Sequence, residues 1–87
     1  RPVPFERMIY FGDGETDVPC MRTVKSNGGY SFAVYGNDKK RVVAQQLLSE
    51  GRVNFACNAD YTPNGEMMEI VKRILDKIKA EYALSQV

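Results

Sequence analysis

A short acidic loop is the part of this sequence best suited to chemistry. Residues 12–17 place three carboxylates, on Asp13, Glu15 and Asp17, directly after the apolar run at 8–11. Carboxylates at the end of a buried strand are costly unless a cation neutralises them. Magnesium binds oxygen ligands, usually one or two carboxylates, with waters and substrate phosphate in the remaining positions. The spacing therefore makes Asp13 and Asp17 candidate ligands of a magnesium ion.

The neighbouring loop residues are suited to supporting such a site. Gly12 and Gly14 would let the backbone turn tightly near the ion, and the Thr16 hydroxyl could hold the loop by a hydrogen bond to backbone. A purely structural interpretation fits the same spacing. In it, Asp17 caps a helix, Asp13 makes a loop hydrogen bond, and the third carboxylate is solvated. Spacing alone leaves both interpretations open.

Several other kinds of site are excluded by residue type. A dinucleotide-binding fingerprint would need glycine at position 17, and a calcium EF-hand loop would need glycine at 18 and glutamate at 24. The chain has Asp17, Val18 and Val24 there. It has no histidine, and its two cysteines, Cys20 and Cys57, are far apart, which excludes zinc sites and Cys–His nucleophile pairs. We expect both cysteines to be buried thiols.

Alternating strand and helix patterns must position the loop. Apolar runs at 8–11, 30–35 and 53–57 predict strands, and apolar residues recur at helical spacing in the segments that follow them. Such alternation implies right-handed crossovers and an α/β fold, a three-layer α/β/α sandwich with a small parallel sheet. We expect one domain over residues 1–87, with ligands bound beyond the carboxyl ends of the strands.

Cap signals predict where the three helices begin and end. The first should follow Asp17, and the third should begin at Thr62–Pro63. The second should follow Asn37 or Asp38, either of which could cap it, and run to about Glu50 with Gly51 as its C-terminal cap. The third helix has the clearest pattern, a stripe of apolar residues along one face. Its members are Met67, Ile70, Val71, Ile74, Ile78 and Tyr82.

The acidic loop also resembles a known family motif. Residues 8–19, an apolar strand followed by Gly-Asp-x-x-x-Asp, resemble the fourth motif of the haloacid dehalogenase-like superfamily. Similarity continues, with less specific residues, through 29–35 and 59–61. The resemblance implies a partial Rossmann-like core from a magnesium-dependent phosphohydrolase acting on a small phosphorylated substrate. It implies Asp13 as a direct or water-mediated magnesium ligand. It implies Asp17 as a supporting ligand, or as a residue that contacts the ligands and not the ion itself.

The resemblance extends to only part of that family's catalytic machinery. The family's nucleophile and acid–base aspartates lie two residues apart at the end of another strand, and this chain has no Asp-x-Asp. The family's lysine precedes the fourth motif, whereas Lys25, Lys39 and Lys40 follow it. We therefore expect a C-terminal part of the core, without nucleophile or cap domain, that is inactive alone. The alternative is an independent metal-sensing or protein-interaction domain.

Composition and charge narrow the choice of partners. The net charge is +1, and the basic residues are scattered, so nucleic acid is not an expected partner. The run 39–41 is interpreted as solvated surface. No apolar run approaches the roughly 18 residues that span a bilayer, so we expect no membrane association and a cytoplasmic location.

The first strand has a second expected consequence. In the family that the acidic loop resembles, the far edge of this strand pairs with the strand carrying the nucleophile, which this chain does not contain. The run Met8 to Phe11 has no lysine or proline to protect its edge. We expect a homodimer through this edge strand, paired antiparallel about a two-fold axis. The competing interpretation is that residues 1–6 fold back and cover the edge.

Overall fold

The computed structural model describes residues 4–87, apart from the side chain of Glu15. Three strands alternate with three helices: β1 (Ile9–Gly12), α1 (Val18–Ser26), β2 (Tyr30–Tyr35), α2 (Asp38–Ser49), β3 (Phe55–Asn58) and α3 (Glu66–Ser85). Short 3-10 turns at Phe5–Arg7 and Glu15–Asp17 precede β1 and α1. The strands form one parallel sheet in the order β1-β2-β3. The predicted fold class is confirmed.

The central strand β2 divides the core between the two faces of the sheet, because successive side chains of a strand point to opposite sides. Ala33 belongs to the core that α1 and α2 cover, while Phe32 and Val34 belong to the core under α3. The first core also contains Val18, Met21, Ala44, Leu47 and Val53, and the second contains Cys57, Met67 and Ile74. These are the three layers expected from the alternating pattern.

Phenylalanines form a row across the sheet on the α3 side. Phe11 and Phe32 are paired in register on β1 and β2, with ring centroids 4.9 Å apart, and Phe32 and Phe55 are paired on β2 and β3 at 5.0 Å. Phe32 is fully buried, whereas Phe11 is 41% exposed. The row therefore ends in an exposed ring at the β1 edge.

The third strand begins two residues later than predicted, because a side chain takes part in the pairing before it. Asn54 donates its backbone N–H to the Ser31 carbonyl at 2.9 Å, and its Oδ1 accepts from the Ser31 N–H at 2.8 Å. One residue thus satisfies both backbone groups of buried Ser31, and regular pairing starts only at Phe55. Val53 is buried all the same.

Two further predictions about local structure are wrong. The last helix starts at Glu66 with Gly65 before it, because the Thr62 hydroxyl bonds to Asp60 at 2.7 Å and does not cap a helix. Cys20 is exposed on α1, and only Cys57 is buried. The cap predicted at Gly51 is present, with the positive φ of 73° that glycine tolerates best.

Candidate functional site

Asp17, the last residue of the acidic loop, holds the loop in place through hydrogen bonds to its carboxylate. Its Oδ2 accepts a hydrogen bond from the backbone N–H of Asp13 at 3.1 Å, and its Oδ1 accepts from the Tyr10 hydroxyl at 3.1 Å. Asp17 is the residue before α1, yet its side chain makes no capping hydrogen bond to that helix. The carboxylate instead ties the end of β1 to the start of α1.

Glycine at position 12 is required for this arrangement. A side-chain carbon at Gly12 would lie 2.7 Å from Cβ of Asp17, closer than carbon atoms can approach. At Gly14 the nearest atom to such a carbon would be Nζ of Lys40 at 3.6 Å, an ordinary contact. The Gly14 carbonyl accepts the Asp17 N–H at 3.1 Å and so closes the turn. Only Gly12 is demanded by packing inside the loop.

Asp13 differs from Asp17 in its surroundings. Among the described contacts its carboxylate accepts no hydrogen bond and joins no ion pair, and the residue is exposed. It lines a cleft of about 440 Å³ between the acidic loop and the start of α2. Thr16 also lines this cleft, and its hydroxyl makes no hydrogen bond among those described. The loop therefore presents one uncommitted carboxylate to an open cleft.

The opposite wall of the cleft is basic. Lys39 and Lys40, in the first turn of α2, line it together with Asn37 and Val43. The Asn37 side chain caps α2 by accepting the backbone N–H of Lys40 at 2.8 Å. The carboxyl ends of β1 and β2 meet at the same edge of the parallel sheet, which brings these cations beside the acidic loop.

The phenol of Tyr10 is held in its protonated form. The hydrogen bond to Asp17 raises the pKa of Tyr10 to about 12, and burial and the nearby Cys20 act in the same direction. Tyr10 thus donates to Asp17 over the whole physiological pH range. The Asp17 carboxylate therefore keeps both of its donors, the Tyr10 hydroxyl and the Asp13 N–H.

The loop's donor set suits part of a magnesium site. One exposed carboxylate on Asp13, with a second on Asp17 behind it, matches the one or two carboxylates that magnesium takes from a protein. Across residues 4–87, taken with the side chains that are described, no group of three or more metal-ligating side chains comes together. Asp13 and Asp17 would therefore hold the ion only with oxygens from water, substrate or another segment.

Sequence reasoning missed three members of the site. Tyr10 was assigned only to an apolar strand, and the run containing Lys39 and Lys40 was interpreted as solvated surface. Both lysines are exposed, but they face the acidic loop across the cleft. The signal that could have found them is topological, since consecutive parallel strands bring their carboxyl-terminal loops side by side.

Comparisons with protein-family models, curated proteins and solved structures found no match to this chain. Among the helices of residues 4–87, none combines the length and the apolar character needed to cross a membrane.

Proposed function

We propose that this chain is the metal-binding part of a magnesium-dependent phosphohydrolase of the haloacid dehalogenase-like type, which acts on a small phosphorylated substrate. The observation that carries the proposal is that the two aspartates of the loop have different contacts. Both Asp17 oxygens accept hydrogen bonds from the loop and from Tyr10, while the Asp13 carboxylate is left exposed at the cleft. A loop held by hydrogen bonds that leaves one carboxylate exposed is what a metal ligand requires.

The charges that line the cleft favour a phosphorylated substrate. Lys39 and Lys40 stand across from Asp13, so the cleft offers positive charge on one wall and a candidate metal ligand on the other. Phosphate groups are recognised by lysine as a point charge and by magnesium through oxygen. The wall of lysines would orient an anionic group towards Asp13.

In this proposal the residues of the chain bind and position, and they carry out no covalent step. Magnesium, when bound, neutralises phosphate charge and orients the group for in-line attack. Asp13 holds the ion, Asp17 fixes the backbone of Asp13, and Tyr10 keeps the Asp17 carboxylate in place. The nucleophile belongs to an upstream segment that carries Asp-x-Asp at the end of a strand, so the 87-residue chain alone hydrolyses no aryl phosphate.

The test is paramagnetic broadening by Mn²⁺, followed on the amide resonances of the chain. We expect the broadening to be centred on residues 12–17. Asp13→Asn should lower the apparent affinity for Mn²⁺ about tenfold or more. The matched control is Asp38→Asn, because Asp38 is another exposed aspartate, at the start of α2. Inorganic phosphate added with Mg²⁺ should shift the resonances of Lys39 and Lys40 more than phosphate alone.

Two results would count against the proposal. Broadening that Asp13→Asn and Asp38→Asn reduce equally would show diffuse attraction to surface carboxylates. If the full open reading frame has no Asp-x-Asp strand upstream of this chain, the hydrolase assignment is wrong. The chain would then be better explained as an independent metal-sensing domain. The two results separate metal binding from the identity of the parent enzyme.

A further inference from the structure

The outer edge of β1 presents unpaired backbone groups. The Met8 carbonyl accepts the Tyr30 N–H at 3.0 Å, so the groups of residue 8 face β2. Inward and outward directions alternate along a strand, and the N–H and C=O groups of Ile9 and Phe11 therefore point away from the sheet. Within residues 4–87 no strand pairs with this edge. The exposed ring of Phe11 lies on the same edge.

We propose that in the 87-residue chain on its own this edge binds a second copy, with the two β1 strands antiparallel about a two-fold axis at Tyr10. In the proposed hydrolase the upstream nucleophile strand would take the same edge in place of the second copy. In this register Ile9 faces Phe11 of the second copy, and facing residues of this type exchange both backbone hydrogen bonds. The two sheets become one continuous sheet. The row of phenylalanines then continues onto an apolar side chain of the second copy and no longer ends in solvent.

Charge favours this register, because of the three registers centred on Ile9, Tyr10 or Phe11 it alone sets both Arg7 and Asp13 opposite a residue of the other sign. Arg7 and Asp13 lie just before and just after β1, and pairing at Tyr10 sets each opposite the other residue of the second copy. The register that pairs Ile9 with itself sets Arg7 opposite Phe11 and Asp13 opposite Phe5. The register that pairs Phe11 with itself sets Asp13 opposite Ile9 and Arg7 opposite Glu15, in the turn after the strand. Among the described contacts neither charge has an ion-pair partner of its own. A cation at one end of a strand and an anion at the other are self-complementary only in antiparallel pairing.

The other edge of the sheet, at β3, also has no strand paired with it within residues 4–87, but it differs from β1 in its charges and its aromatic ring. The flanking charges there are already engaged, Arg52 with Glu50 at 3.0 Å and Asp60 with the hydroxyl and N–H of Thr62. Phe55 at this edge is partly buried against the α3 core. Self-association is therefore assigned to β1.

The described residues before β1, residues 4–8, pack away from the outer edge of the strand. A side chain at Gly29 would collide with the Phe5 carbonyl, and one at Gly28 would contact Glu6, so the turn at Phe5–Arg7 packs on the connection between α1 and β2. The Arg7 guanidinium lies 4.8 Å from the ring centre of Tyr82 on α3, which holds it at the entry of β1. Residues 1–3, part of the alternative in which the start of the chain covers the edge, lie outside the described residues.

The first experiment measures mass and edge protection together in EDTA, so that metal at Asp13 plays no part. Sedimentation velocity should show a reversible dimer over roughly 10 μM to 1 mM, the range of weak interfaces. Amide hydrogen exchange at Ile9 and Phe11 should slow as concentration rises. The amide of Tyr10, which already faces β2, should change little.

The second experiment exchanges the charges. Arg7→Glu and Asp13→Arg should each weaken the dimer about tenfold or more, because every copy then sets like charges against each other twice. An equimolar mixture of the two variants should associate again, since every facing pair in a mixed dimer joins opposite charges. Arg52→Glu makes the same charge change beside β3 and should leave the dimer unchanged. If Arg7→Glu fails to fold, Asp13→Arg alone keeps the contact of Arg7 with Tyr82 and still sets two arginines against each other at both ends of the paired strands.

Three outcomes would overturn the proposal. If the chain is still a monomer at about 1 mM, a concentration near the dissociation constants of the weakest specific interfaces, the edge is covered. A dimer that tolerates both single charge reversals would use another surface or register. A mixture that stays monomeric would show that the facing charges do not select the partner.

Discussion

The Tyr10 hydroxyl and Oδ1 of Asp17 are 3.1 Å apart, joining the middle of β1 to the residue before α1. The other oxygen of the same carboxylate holds the Asp13 N–H. Asp17 thus acts on Asp13 through the backbone, and Tyr10 acts on Asp13 through Asp17. This chain of contacts gives the loop one shape and makes the direction of its free carboxylate depend on a phenol in the strand.

Replacing Asp17 by Asn should lower the pKa of Tyr10 from about 12 towards the ordinary tyrosine value of about 10, because the charged acceptor is lost. A pKa raised by folding stabilises the protein below pH 10 and stops doing so as pH rises through 12. Titration of the Tyr10 ring carbon by NMR measures the shift. A Tyr10 pKa unchanged in Asp17→Asn would contradict the assigned hydrogen bond.

Replacing Gly12 by Ala should destabilise the domain by about 1–3 kcal/mol, since the new methyl group would overlap Cβ of Asp17 in a packed position. Gly36→Ala is the matched control, because a carbon there meets nothing within 4 Å. Urea denaturation of both variants gives the comparison. Equal stabilities would show that the loop adjusts at no cost, and the close approach of Gly12 to Asp17 would then carry no structural weight.

The fold followed from the sequence because its signals are local. Apolar runs predicted the strands, the first two of them ended by glycine, and the apolar stripe of α3 predicted the helix that covers one face. The boundaries that failed depend on particular side chains. Asn54 delays β3 by pairing with Ser31, and Thr62 bonds to Asp60 and leaves the start of α3 to Gly65. A capping residue and a loop residue of the same type look identical in sequence.

The candidate site was predicted only in part for a related reason. The carboxylates of Asp13 and Asp17 were visible as a spacing, but their different roles depend on which oxygens meet Tyr10 and the loop backbone. Lys39 and Lys40 reach the site through strand order, which no local pattern contains. Contacts between residues far apart in the chain appear only once the sheet is assembled.

Replacing Asn54 by Ala should cost about 1–3 kcal/mol of stability, because the N–H of the fully buried Ser31 would lose its acceptor. Asn54→Asp keeps an oxygen at the same place and should cost less. Thermal unfolding of the two variants gives the difference. Equal losses would show that water replaces the side chain and that Asn54 does not set the start of β3.

The Asp60 carboxylate should titrate below its ordinary range. The Thr62 hydroxyl donates to its Oδ1 at 2.7 Å and the Thr62 N–H donates to the same atom at 3.0 Å, and these bonds lower the pKa of Asp60 by favouring the charged form. A pKa lowered by folding gives stability that is complete above the unfolded value of about 3.9 and is lost as pH falls through the folded value.

Replacing Thr62 by Val removes the hydroxyl, the larger cause, and leaves the backbone donor, so the pKa of Asp60 should rise part of the way to its ordinary value. Side-chain carbon NMR across pH 2–6, roughly the range in which carboxyl groups titrate, follows this directly. Thr16→Val is the control, because no described hydrogen bond involves that hydroxyl. If Thr62→Val leaves the Asp60 pKa where it was, the hydroxyl does not bind the carboxylate in solution, and the explanation for the late start of α3 fails with it.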